Sequence, residues 1–169
     1  MRIELHFGDI TEYKTDCVVN AARGSLLGGG GVDGAIHKKA GIELKEYCKT
    51  LGGCSVGEVK MTPAFGLPCK NIIHTVGPRY LFKNESEIQD LRNCYLNSLE
   101  LAKENYFNEL VFSNISTGAY GFPKDLAAKI SFDAVQKFLL ENEYPKKVVF
   151  CCYDFQNMEL YMNLIKEIL

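Results

Sequence analysis

The chain has 169 residues, 47% hydrophobic and 24% charged, and its 19 basic and 21 acidic side chains leave a net charge of -2. That balance predicts one globular domain, residues 1–169, and excludes disorder and collagen-like repeats. The missing basic surplus argues against a nucleic-acid partner, and no apolar run approaches the ~20 residues of a membrane-spanning helix.

Read in chain order, Arg2 to Phe7 alternates, with Ile3, Leu5 and Phe7 on one face of a half-buried strand. Cys17-Val18-Val19 is a short apolar strand, followed by a glycine-rich loop. A helical pattern runs from about Asp33 to Ala40 and resumes after Gly41 to Cys48. Glu58 to Thr62 alternates again, and Ile72 to Val76 reads as a buried strand. Ser86 and Gln89 have capping-box spacing, and Ile88, Leu91, Tyr95, Leu99 and Ala102 form a helical stripe. Leu110-Val111-Phe112 is a further strand, with a second glycine-containing loop behind it. Pro123 suits a first helical position, and Ala127, Ile130, Ala134 and Phe138 continue that helix. Val148 to Cys152 is wholly apolar, and Met158 to Ile168 makes a last amphipathic helix. Strands alternating with helices, several of them apolar on both faces, imply a mostly parallel sheet covered on both sides.

In such folds ligands bind at the carboxyl ends of the strands. Those ends carry Gly8-Asp9, then Asn20 to Arg23 with Gly28 to Gly31, then Asn114 to Gly121, and Tyr153-Asp154. Glycines let backbone N–H groups converge on an anion, and the first loop leads into a helix N-terminus with its favourable dipole. Two such loops suit two phosphates. No Lys-Ser/Thr follows Gly28 to Gly31, so this is not a P-loop. Gly29, Gly31 and Gly34 fit G-x-G-x-x-G, but too far from the strand for a dinucleotide fingerprint. Asp9 is either an acceptor for an exocyclic amine or a turn cap. Tyr120 and Tyr153 are stacking or packing groups. Asp33, a carboxylate beside a phosphate nest, makes most sense as a water-positioning group or general base. His74 reads as a core histidine, and His37 and Lys38 as surface or packing positions.

Seven cysteines occur without C-x-x-C or finger-like spacing, so no metal site is expected. The start, Met1-Arg2-Ile3-Glu4, has no signal-peptide core. Reduced thiols and a cytoplasmic location are the expectation.

Taken together, several blocks resemble the macrodomain family, specifically its MacroD-type branch. They are Gly8-Asp9-Ile10-Thr11, Val18 to Ala22, Leu26 to His37, Ile72 to Pro78 and Ile115 to Gly121. The resemblance covers nearly the whole chain in one order. It implies a three-layer α/β/α sandwich with a mixed, mostly parallel sheet, and ADP-ribose as ligand. By similarity, Asp9 holds the adenine amine, Ile10 flanks that pocket and Tyr153 lies near it. Asn20 joins the ligand-binding set. Gly29, Gly30, Gly31 and Val32, with Ser116, Thr117, Gly118, Ala119 and Tyr120, hold the diphosphate, Tyr120 also packing on the distal ribose.

MacroD-type members release ADP-ribose from acidic side chains of mono-ADP-ribosylated proteins and deacetylate O-acetyl-ADP-ribose. They need no metal or cofactor. The resemblance therefore implies an ADP-ribosyl ester hydrolase in which Asp33 orients or activates water. ADP-ribose or ADP-ribosylated proteins would be the partners, and nothing in the sequence demands more than a monomer. One departure stands out. The family's Asn-Ala-Ala-Asn ends here in Arg23. This cation could pair with Asp33, reach the phosphates or ribose, or swing to solvent while Ser25 or water takes over. A non-catalytic ADP-ribose reader is the alternative that Arg23 raises.

Overall fold

The computed structural model describes residues 1–169. Its strands are β1 (Ile3–Phe7), β2 (Thr15–Ala21), β3 (Val59–Pro63), β4 (Cys69–Thr75), β5 (Glu109–Phe112) and β6 (Lys147–Cys152). Its helices are α1 (Gly31–Ala40), α2 (Ile42–Lys49), α3 (Glu85–Glu104), α4 (Lys124–Glu141) and α5 (Phe155–Glu167). One sheet forms in the order β1-β6-β5-β2-β4-β3. Every neighbouring pair is parallel except β3–β4. This is the α/β fold with a mixed, mostly parallel sheet that the sequence predicts.

The apolar strands are apolar because both faces are covered. Cys17, Val19, Ile73, Leu110, Phe112, Val148 and Phe150 point into one core with side chains of α3, α4 and α5. The alternate residues Val18, Ile72, Val111, Val149 and Cys151 point into a second core with α1 and α2. A period of two along each strand thus feeds two separate helix layers. Aromatics fill the larger core: Phe150 stacks on Tyr161 with ring centroids 4.3 Å apart.

Local chemistry sets the element ends, in places differently from the sequence pattern. The cap of α3 is Asn84, whose side chain accepts from Glu87 N, and Ser86 lies inside the helix. An Asn in extended conformation before the first turn outcompetes the Ser two residues on. Pro123 stands just before α4 rather than within it. Gly41, at φ 96, ends α1 and starts α2, which divides the helical pattern into two helices at the glycine where it is interrupted in the sequence. Both the first and last strands take part in one edge: β1 pairs along its whole length with β6. Arg2 reinforces that pairing, its guanidinium donating to the carbonyls of Asn142 (2.9 Å), Glu143 (2.8 Å) and Lys146 (3.0 Å).

No helix is long and apolar enough to cross a membrane. All seven cysteines are free thiols, and no group of three or more His, Cys, Asp or Glu side chains could hold a metal ion.

Candidate functional site

Five strands run parallel, so β1, β6, β5, β2 and β4 all deliver their carboxyl ends to one edge of the sheet. Asp9 follows β1 there and Tyr153 follows β6. The first glycine loop follows β2, and the second follows β5. The predicted residues are thereby brought to one side of the molecule.

Asp9 does one of its two predicted jobs visibly. Its Oδ1 accepts from Thr11 N at 2.9 Å and Thr11 Oγ1 at 2.8 Å, capping the short 3-10 turn Ile10–Glu12. Its exposed carboxylate keeps Oδ2 for an outside donor. Ile10 is buried beside it, and Tyr153 stands out at 81% exposure. Phe155, which the sequence reading passed over, is 69% exposed and meets Phe7 edge-on at 6.4 Å. Cys151 and Cys152 close β6, where burial pushes the thiols up to about 12 and about 11. Neither offers a thiolate near neutral pH.

The first loop is shaped by its backbone. Gly28 (φ 95) and Gly31 (φ 56) adopt the left-handed region, where a Cβ would be strained. Gly34, already in α1, lets the loop close down: a Cβ there would stand 2.4 Å from the Gly29 carbonyl oxygen. Gly29 and Gly30 remain exposed, and Gly30 caps α1. Loop N–H groups and the helix dipole therefore lie together, as an anion site needs.

Beneath that loop lies Asp33, only 3% exposed. Its Oδ1 accepts from Asn20 Nδ2 at 2.8 Å, and its Oδ2 from the Arg23 backbone N–H at 3.3 Å. His37, one helical turn on, brings Nε2 to 3.6 Å from Oδ1. The sequence pattern alone predicts a surface or packing position for His37; its i,i+4 spacing from Asp33 is the one local signal of this contact. The Arg23 side chain makes no ion pair with Asp33. It is exposed and runs along the loop, with Nε 2.8 Å from where a Gly29 Cβ would stand. Ser25 is likewise turned away, its Oγ accepting from Leu27 N.

The second loop is anchored from below and behind. Ser116 (φ 64) has its Oγ packed on Gly77, where a Cβ would stand at 2.2 Å. Tyr80 N donates to Tyr120 O at 2.9 Å, and Phe122 N to Ser116 O at 2.9 Å. Arg79 lies over the Tyr120 ring, 5.0 Å from its centroid, a cation–π contact. Thr117, Gly118 and Ala119 form the tip between them. The Asn20 Oδ1 and Ser116 Oγ atoms are both buried without a partner.

A broad hollow of ≈ 530 Å³ on the opposite edge of the sheet contains none of these residues. Its charges are largely spent on one another, Lys70 on Asp16 and Lys147 on Glu109.

Fold and loops together define an α/β protein with two glycine-containing loops, of a shape that suits an anion, at the carboxyl edge of its sheet. The Macro domain family model matches residues 19–131. A macro domain-containing protein of Mesorhizobium japonicum is 47% identical over 164 residues, covering 97% of this chain and 93% of its own. A protein of Enterobacter sp. named O-acetyl-ADP-ribose deacetylase is also 47% identical, covering 97% and 93%. Among solved structures, an Oceanobacillus iheyensis macrodomain mutant with ADPR superposes with a TM-score of 0.94 at 40% identity, covering 98% and 92% of the two chains. A Trypanosoma brucei macrodomain in complex with ADP-ribose gives 0.90 at 38%, covering 97% and 69%. The chain belongs to the macro domain family.

Proposed function

We propose that this macrodomain binds ADP-ribose and hydrolyses ADP-ribosyl esters, namely O-acetyl-ADP-ribose and mono-ADP-ribosyl glutamate or aspartate on proteins. One observation carries the reading: a buried carboxylate, Asp33, is held by neutral donors directly beneath the loop best suited to phosphates. A carboxylate there works against anion binding, so its place calls for a chemical role.

In this reading Asp9 Oδ2 receives the adenine amine, with Ile10 and Tyr153 beside it. Backbone N–H groups of Gly29 to Val32 and of Ser116 to Tyr120 hold the diphosphate, and Tyr120 packs on the distal ribose. Asp33 orients water at the ribose end. The ester C–O bond breaks, water supplies hydroxyl and proton, and ADP-ribose and the free acid leave. Arg23 adds its cation to the rim of the first loop and leaves Asp33 free of an ion pair. The deacetylase names among relatives at about 47% identity support this substrate class. No cofactor is called for.

The test mixes purified protein with O-acetyl-ADP-ribose, and separately with a glutamate/aspartate-linked mono-ADP-ribosylated protein, and follows release of acetate or ADP-ribose. Asp33→Ala runs alongside, with calorimetric titration of ADP-ribose into both. Release by the wild type alone, with binding kept in both, is expected. Binding without release makes the protein a reader module. Equal loss of binding and release in Asp33→Ala makes Asp33 structural.

A further inference from the structure

A row of buried polar side chains leads from the edge strand to Asp33. Thr62 on β3 is 1% exposed, and His74 on β4 and Asn20 on β2 are both fully buried. The sheet register sets Asn20 directly opposite His74. Asp33 begins a sequence of forced assignments. A carboxylate only accepts, so Asn20 Nδ2 is the donor at 2.8 Å. The same nitrogen lies 3.1 Å from His74 Nδ1, which must then present its lone pair. The ring proton falls to Nε2, which donates to Thr62 Oγ1 at 2.9 Å. Burial, reinforced by nearby His37, pushes His74 down to about 3, so the ring is neutral. Asn20 Oδ1 has no partner at all. The amide is therefore oriented entirely from its N–H side.

We propose that His74 is a positioning residue for Asp33, acting through the Asn20 amide, with Thr62 keeping the ring proton on Nε2. The inference rests on the reading of Asp33 as the carboxylate that orients water. The His74 lone pair and the Asp33 carboxylate both demand a hydrogen from Asn20. Turning the amide over would set its oxygen against two acceptors. The carboxylate is thus fixed by a row that ends two strands away, at Thr62 on β3.

Two substitutions separate positioning from packing. His74→Phe fills the ring's space and removes the acceptor. His74→Asn leaves a cavity but returns an acceptor to the place of Nδ1. With O-acetyl-ADP-ribose as substrate, His74→Phe should lose about tenfold or more in kcat while its Kd for ADP-ribose stays within about twofold. His74→Asn should recover most of that kcat despite a lower melting temperature. Thr62→Val should lose kcat in the same sense, and Thr62→Ser restore it. The reverse order, with Phe active, Asn inactive and kcat tracking melting temperature, overturns the proposal. Nitrogen-15 spectra of the wild-type histidines supply a readout independent of turnover. A His74 ring protonated on Nε2 is expected, and one protonated on Nδ1 overturns the row. A wild type with no esterase activity but the Nε2–H ring overturns the role of Asp33 and leaves the hydrogen-bond row standing.

Discussion

Gly34→Ala tests the ligand loop through a side chain that touches no ligand. The new Cβ would meet the Gly29 carbonyl oxygen at 2.4 Å, and ordinary contact requires it to retreat by about 1 Å. Either the loop or the helix must give. α1 is pinned by Ile36 and Ala40 in the core, while Gly29 and Gly30 are exposed, so the loop moves. Overpacking costs roughly 1–3 kcal/mol. Ala over Gly returns up to about 1 kcal/mol of helix propensity, less in a first turn. The net loss of about 0–3 kcal/mol lowers the melting temperature by at most ~12 °C for a chain this long. Binding suffers more. Displacing one or two charge-assisted N–H donors, each worth roughly 1.5–3 kcal/mol, weakens ADP-ribose binding about 10- to 100-fold or more. Calorimetric titration and thermal unfolding on the same preparation measure both. Wild-type affinity in Gly34→Ala would refute the assignment of this loop to the ligand. A fall in melting temperature far beyond ~12 °C would show that the helix, not the loop, had moved.

Asp9→Ala should weaken binding of ADP-ribose more than binding of ribose 5-phosphate, since only the former carries an adenine; equal losses would remove Asp9 from the base pocket. Arg23→Asn should preserve or raise turnover, and it should flatten the salt dependence of ADP-ribose binding; a collapse of kcat would show Arg23 recruited into the chemistry. Stability should fall in acid through His74. Its folded value of about 3 lies below its ordinary 6.5, so below about pH 6.5 the unfolded chain takes up a proton that the folded chain refuses. At pH 5 that linkage amounts to about 2 kcal/mol. Urea unfolding between pH 7.5 and 5 measures it. An identical slope in His74→Asn would assign the effect elsewhere.

Much of this was legible in the residues. The two-sided apolar strands announce a covered parallel sheet, and the glycine-containing loops after β2 and β5 lie at its carboxyl edge as expected. What escaped was long-range or competitive. Ser86 and Gln89 satisfied the capping-box spacing, yet Asn84 won because only the three-dimensional turn decides which side chain meets the free N–H groups. His37 and His74 sit 37 residues apart in the chain, and nothing local reveals that their rings lie 6.4 Å from each other, with His37 Nε2 3.6 Å from Asp33 Oδ1. The course of Arg23 along Gly29, away from Asp33, also depends on how the loop folds back.

The pairing of β1 with β6 has a consequence for how the protein is made. β1 precedes β6 in synthesis and must wait for it, and Arg2 can clasp the carbonyls before β6 only when residues 142–146 have emerged. The β5-β2-β4-β3 part of the sheet can assemble earlier, but the corner bearing Asp9 and Tyr153 cannot. A nascent chain still lacking β6 would have both glycine loops and the Asp33 cluster without the neighbouring corner. On the proposed reading of Asp9 and Tyr153, full binding competence is acquired only once β6 has paired with β1.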